Sequence, residues 1–216
     1  MIAFFDLDRT LLEVNSGGLW VKSEYREGYI SAWQLGRSLL ELVRYHIGVG
    51  SIEPTLRRAI AFHEGVSADS LRQRTERFFE REVKDRFRPG GLAALETHRE
   101  RGDQLVLLTT SSQYLGECVQ RTIGLDAVLA TDFHLDAEGC LTGEPIEPLC
   151  FGRGKLVAAS RYAADAGVEL SACTFYTDSI ADRSVMEAVG WPVAVHPDPK
   201  LLRLARAHGW PIVSWD

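Results

Sequence analysis

The chain opens with "MIAFFDLDRTLLEVNSGG", residues 1–18, in which the apolar run Ile2-Ala3-Phe4-Phe5 is followed at once by Asp6 and Asp8. Four consecutive apolar residues stopped by polar ones are the mark of a strand covered on both faces, where the usual alternation is lost. The same pattern returns in "QLVLL" at 104–108, "AVLA" at 127–130, "CTFY" at 173–176 and "PVAV" at 192–195. Helical periodicity fills the intervals, at 91–101, 113–123, 155–166, 182–190 and 199–209. Strand alternating with helix predicts βαβ units, hence an α/β protein with a Rossmann-like parallel sheet.

Two segments interrupt the alternation. Residues 16–87 offer no convincing strand, only helix-like stretches punctuated at Gly28, Gly48-Val49-Gly50, Pro54 and Gly65, and they end at "RFRPGG". The reading is an all-helical cap domain over 16–87 inserted into a core of 1–15 and 88–216, with Ser16-Gly17-Gly18 and Arg88-Pro89-Gly90-Gly91 as hinges. The second interruption, 131–145, reads as two short strands around Asp136-Ala137-Glu138-Gly139, a small β-hairpin.

With 216 residues, 45% hydrophobic and 25% charged, the chain is long enough for a full core and ordinary in composition. A net charge of −6 gives no general attraction for nucleic acid or an anionic membrane, so neither is expected as a partner, and an anionic substrate has to be held by local groups. Cys118, Cys140, Cys150 and Cys173 are far apart and form no CxxC; free thiols in a cytoplasmic protein are expected. No apolar run reaches the length of a membrane span. Monomer and homodimer both stay open.

On an extended strand, residues two apart project to the same side, so Asp6 and Asp8 would crowd each other. Such a pair wants a metal or a shared proton. Other predicted strands also end in polar groups: Thr109-Thr110-Ser111-Ser112 after 104–108, and Thr177-Asp178-Ser179-Ile180-Ala181-Asp182 after 173–176. In an open α/β sheet, ligands bind beyond the carboxyl ends of the strands. "GRGK", 152–155, adds Lys155 at the start of a helix, where backbone N–H groups favour an anion. It is not a phosphate-binding P-loop, because Leu156 follows the lysine and the spacing of glycines is wrong. Together these groups suit a metal held by carboxylates beside a phosphate held by hydroxyl, amides and ammonium.

The order D-x-D-x-T, Ser/Thr after the second strand, Lys, then D-x-x-x-D resembles the haloacid dehalogenase superfamily. With a helical insert after the first motif, it is similar to the C1-capped phosphatases around phosphoserine phosphatase. The resemblance covers the whole chain and implies an enzyme, a phosphoric monoester hydrolase. It implies Asp6 as nucleophile, Asp8 as general acid and base and a metal ligand through its carbonyl, and Mg²⁺ held also by Asp178, with Asp182 binding directly or through water. Thr109, with Thr110 and Ser111 as rivals, and Lys155 would hold the phosphoryl oxygens. The family usually has Gly where Thr177 stands. Phosphoserine phosphatases carry a Glu nine residues after the nucleophile; here that position is Asn15, and Glu13 comes two residues early. Phosphoserine is therefore disfavoured, and a small phosphorylated metabolite such as histidinol phosphate or another amino-alcohol phosphate is expected by analogy.

Two other classes remain as alternatives: a receiver-like module phosphorylated on Asp6, and a non-catalytic scaffold whose cap binds a partner. Within the insert, Trp20, Tyr25, Tyr29 and Trp33 fall near helical spacing and are read first as bundle core; in the second reading some of them face the catalytic edge and receive a flat or apolar leaving group. Arg37, Arg44 and His46 are read as solvent-facing, and the six histidines show no ligand spacing.

Overall fold

In the computed structural model, which describes residues 1–46 and 53–216 with the side chains of Leu39 and 41–46 excepted, β1 (Ile2–Phe5) lies inside a six-stranded parallel sheet. Its neighbours are β2 (Gln104–Ser112) and β6 (Thr174–Thr177), with β3 (Ala127–Thr131) beyond β2, and β7 (Trp191–Val195) and β8 (Ile212–Val213) beyond β6. All the pairings are parallel. The direction of winding reverses between β1 and β6, which opens a crevice at their carboxyl ends.

Alternate residues of β1 feed two cores, which explains its unbroken apolar run. Ala3 and Phe5 meet Leu105 and Leu107 under α5 (Pro89–Glu100) and α6 (Gln113–Ile123). Ile2 and Phe4 meet Val106 and Leu108 under α7 (Arg153–Asp165), the short α8 (Arg183–Met186) and α9 (Pro199–His208). Two elements differ from expectation. The helix expected over 182–190 stops at Met186, because the chain must turn back at Gly190, where an added Cβ would lie 1.8 Å from the Ser171 carbonyl oxygen. β8 has only two residues, too few for any periodicity to register.

Apart from single bridges, the described part of 16–87 is helical: α1 (Ser16–Arg26), α2 (Ala32–His46), α3 (Glu53–Ala61) and α4 (Ala68–Phe78). Arg44 and His46, as side chains, and Gly48 to Gly50 lie outside the described residues. The chain leaves and rejoins the sheet region side by side, with Glu13 N–H donating to Arg86 O at 3.0 Å and Arg88 N–H to Leu11 O at 2.8 Å. The expected hinge glycines sit in the first turns of α1 and α5. The hairpin is formed by β4 (Phe133–Leu135) and β5 (Leu141–Pro145), and it bonds to the insert through Gly65 N–H to Leu141 O at 2.8 Å.

Trp20, Tyr25, Tyr29 and Trp33 do not together form a bundle core. Tyr25, Tyr29 and Trp33 are exposed, Tyr29 lying over the Arg74 guanidinium and Trp33 under that of Arg37, itself exposed. Of these four, Trp20 alone turns inward, edge-on to the buried Phe78. Helical spacing states which residues share a face, not which face is covered. The four cysteines are free, three of them buried. Among the described residues, no helix is long and apolar enough to cross a membrane.

Gly154 explains part of "GRGK". A Cβ there would lie 1.7 Å from the Leu149 carbonyl oxygen, so α7 can approach that backbone only without a side chain. Gly154→Ala is expected to destabilise the fold by about 1–3 kcal/mol, the range for overpacking. Thermal unfolding checks it; an unchanged melting temperature would contradict the close approach.

Candidate active site

The carboxyl ends of β1, β2 and β6 and the first turn of α7 deliver Asp6, Asp8, Thr109, Thr110, Lys155, Asp178 and Asp182 to one cavity of about 740 Å³. Asp6 continues β1 and its N–H donates to Tyr176 O at 3.0 Å, so the sheet register fixes its backbone. The chain then departs from the extended form. In the loop Leu7–Leu11, Arg9 takes φ +60°, and Asp8 swings towards α1. The Asp8 carboxylate accepts from Ser16 N–H at 2.6 Å and from the Ser111 hydroxyl at 3.3 Å, and lies at the amino end of α1. The same-side crowding expected of Asp6 and Asp8 is thus largely relieved by the loop.

The acids that crowd Asp6 come from β6 and the turn after it. Lys155 Nζ donates to Asp6 Oδ1 at 2.7 Å and to Asp182 Oδ2 at 2.9 Å, and its side chain is only 2% exposed. The Asp182 carboxylate also receives the Thr177 hydroxyl at 2.7 Å. Asp182 makes no side-chain cap to α8. Thr177, where the family usually has Gly, therefore orients the acid that shares the lysine.

Thr10 was part of the sequence motif but had no role assigned to it. Its buried hydroxyl donates to Asp6 Oδ2 at 3.2 Å and accepts Asp178 N–H at 3.0 Å, tying the first loop to the end of β6. The two candidate threonines of β2 differ. Thr109 is buried and its hydroxyl accepts Ser111 N–H at 3.1 Å, whereas Thr110 is half-buried. Asn15 caps α1 by accepting Gly18 N–H at 2.9 Å, and Glu13 is exposed and paired with Arg86 at 2.9 Å.

The electrostatics are those of acids held together against their own charge. Burial pushes the Asp6 carboxyl up, and the nearby Lys155 offsets only part of this, leaving it at about 6. Burial, then Asp6 and Asp182, push Asp178 to about 8. Burial also raises Asp8, against the pull of the Ser16 and Ser111 donors. For Lys155, burial opposes the charge, but Asp182 and Asp6 outweigh it and hold the ammonium above its ordinary range.

A model of haloacid dehalogenase-like hydrolases matches residues 3–187. A phosphoserine phosphatase of Mycobacterium tuberculosis is 29% identical over 97% of this chain and 69% of its own length. A histidinol-phosphatase of Neisseria meningitidis is 24% identical over 99% of this chain and 98% of its own. A crystal structure of a Bordetella pertussis protein of unknown function superposes with a TM-score of 0.89 at 26% identity, covering 100% of this chain and 98% of that one. The chain belongs to the haloacid dehalogenase-like hydrolase family, as a phosphatase related to phosphoserine and histidinol phosphatases.

Proposed function

We propose that the protein hydrolyses a small phosphate monoester by way of a phosphoaspartate on Asp6, with Mg²⁺ as cofactor. The observation that carries the reading is the buried lysine shared by Asp6 and Asp182, with Asp8 held separately by Ser16 and Ser111. One acid is poised beside a cation and the other is kept apart, which suits a nucleophile and a proton carrier. A carboxylate oxygen of Asp6 attacks phosphorus while the bond to the leaving oxygen breaks and Asp8 supplies the proton. Asp8 then takes a proton from water, which attacks the same phosphorus and releases phosphate from Asp6. Lys155, with Thr110 or Thr109, stabilises the phosphoryl oxygens.

The donor set fits Mg²⁺. Asp6 and Asp178 are both raised first by burial, Asp6 further by Asp182 and Asp178 further by Asp6 and Asp182, and a divalent cation held by these acids would oppose those shifts. Among the described residues, no three His, Cys, Asp or Glu side chains converge as a metal cluster. The family resemblance supplies the Asp8 carbonyl, with water and phosphate, as the remaining ligands, in keeping with the preference of Mg²⁺ for few carboxylates. When bound, the ion supplies charge stabilisation to the transferring phosphoryl group. Asp182 Oδ2 is occupied by Lys155 and Thr177, so a role for this residue at the metal falls to Oδ1. In the same reading, residues 16–87 are the cap over a core of 1–15 and 88–216, and a cytoplasmic setting fits the free cysteines. The name of the Neisseria relative makes histidinol phosphate one candidate among the monoesters to be tried.

Phosphate release from a panel of monoesters, with Mg²⁺ and with EDTA, tests the reaction; silence across the panel would sink it. A second test needs no substrate. The folded pKa values of Asp6 and Asp178 lie above the ordinary 3.8, so their contribution to stability is present at low pH and lost as pH rises through about 6 and about 8. In EDTA, the melting temperature is expected to fall between pH 5 and pH 8. Added Mg²⁺ is expected to raise it by roughly 5 °C or more at pH 8 and by less at pH 5. Equal effects at both values would contradict the proposed ligands.

A further inference from the structure

A second cavity, of about 190 Å³, adjoins the acids beneath α1, α3 and α4. It shares Gly17, Leu56, Thr110 and Ser111 with the cavity that holds Asp6 and Asp8. Ser111 is also the residue whose hydroxyl donates to Asp8. A leaving oxygen protonated by Asp8 therefore has this space as the adjoining room for its carbon substituents.

The wall is apolar. Trp20, Ile60, Leu71, Phe78, Leu115 and Phe133 supply most of it, and among the described residues no Asp, Glu, Lys or Arg side chain lines it. Several of its polar groups already have partners. The Thr75 hydroxyl donates to Leu71 O at 2.8 Å, the Thr131 hydroxyl to Thr110 O at 3.0 Å, and His63 Nδ1 lies 2.9 Å from Ala59 O. Burial lowers the His63 pKa from its ordinary value, which keeps the ring neutral at pH 7. The nearby Glu24 is matched by Arg74 in a buried ion pair. An ammonium or carboxylate brought into this cavity would lose its hydration and meet no opposite charge in the lining among the described residues, the Glu24 carboxylate 3.8 Å from His63 Nε2 being paired with Arg74. An apolar cavity of roughly 150 Å³ stays dry and accepts benzene, so this one has room for a six-membered ring and a short linker.

Resting on the phosphomonoesterase reading above, we propose that the ester hydrolysed here has an uncharged, ring-bearing alcohol as its leaving group, with the ring seated against Trp20 and Phe78 and the phosphate over Asp6. Phosphoserine fails on both counts, since its leaving group has no ring and carries an ammonium and a carboxylate. Histidinol phosphate meets one condition, a ring, and misses the other.

The test compares kcat/KM for 2-phenylethyl phosphate, propyl phosphate, histidinol phosphate, phosphoethanolamine and phosphoserine in the presence of Mg²⁺. The phenyl ester is expected to exceed the propyl ester and both non-ring charged esters by roughly a hundredfold or more, because each buried methylene alone is worth about 10-fold or more. Val21 lines the cavity from α1. Val21→Trp is expected to lower the phenyl-to-propyl ratio at least tenfold. Binding of 2-phenylethanol in EDTA, followed by a change in tryptophan fluorescence that is lost in Trp20→Phe, reads the ring seat without catalysis. Charged esters turned over as fast as the phenyl ester, or a ratio unmoved in folded Val21→Trp, would overturn the proposal while leaving the phosphatase reading intact. Silence with every ester would instead remove the phosphatase reading, and absence of 2-phenylethanol binding would then remove the ring seat as well.

Discussion

Asparagine at position 6 is expected to abolish phosphate release, on the order of 10⁴-fold or more in kcat, while leaving the protein folded. Removing the nucleophile of a covalent mechanism costs activity on that scale. Stability should move the other way or not at all. The fold disfavours the ionised Asp6 carboxylate, holding its pKa at about 6 through burial. A neutral amide of the same shape relieves that cost, keeps an oxygen for Lys155, and leaves the lysine its bond to Asp182 at 2.9 Å. In EDTA at pH 8, Asp6→Asn should therefore melt no lower than the parent protein. Phosphate assays and thermal scans on the two proteins suffice. Residual turnover near the parent level would remove Asp6 as nucleophile, and a collapse in stability would mean that the acid serves the fold first.

Lys155→Met is expected to damage both activity and stability. The ammonium is buried, and no other Lys or Arg bonds to Asp6 or Asp182 among the described residues. Taking away one member of a buried ionic cluster leaves the others uncompensated, at about 3–5 kcal/mol, and for a chain of this size lowers the melting temperature by roughly 6–20 °C. Turnover should fall by about 10³-fold as the phosphoryl oxygens lose their cation. The double variant Lys155→Met, Asp182→Asn separates the effects: much of the stability should return, because the orphaned acid is gone, while activity should not. Recovery of both would show that Lys155 acts only by holding Asp182.

The unequal fate of the expectations has physical reasons. The five apolar runs were legible because strands buried on both faces leave short unbroken hydrophobic stretches, and the acids at their ends followed from the sheet's geometry. The same-side reading of Asp6 and Asp8 did not hold because β1 ends at Phe5 and the chain leaves the extended form at Leu7, between the two acids, a turn that leaves no mark in composition. Tyr25, Tyr29 and Trp33 obeyed helical spacing yet face outward, since periodicity contains no statement about what lies opposite. Thr177 was noticed only as a departure from a family pattern; its bond to Asp182 depends on two positions five residues apart meeting across a turn. The apolar cavity was legible only at Trp20, which the second reading of the insert aromatics placed toward the catalytic edge; Ile60, Phe78 and Phe133 come from three other segments, and only the assembled fold makes them neighbours.

The position of β1 in the sheet also governs how the chain comes together in time. Ala3 pairs with Leu105 on one side and Thr174 on the other. During synthesis at roughly 5–20 residues per second, β1 therefore waits about 5–20 s for its first partner strand and about 9–34 s for its second. For that interval Ile2-Ala3-Phe4-Phe5 is an unpaired apolar strand, and the helices of 16–87, which are local in sequence, can form before it finds its place. Asp6 is thus made long before the residues that surround it. A nascent chain stalled before residue 174 would leave β1 unpaired on the side where β6 belongs.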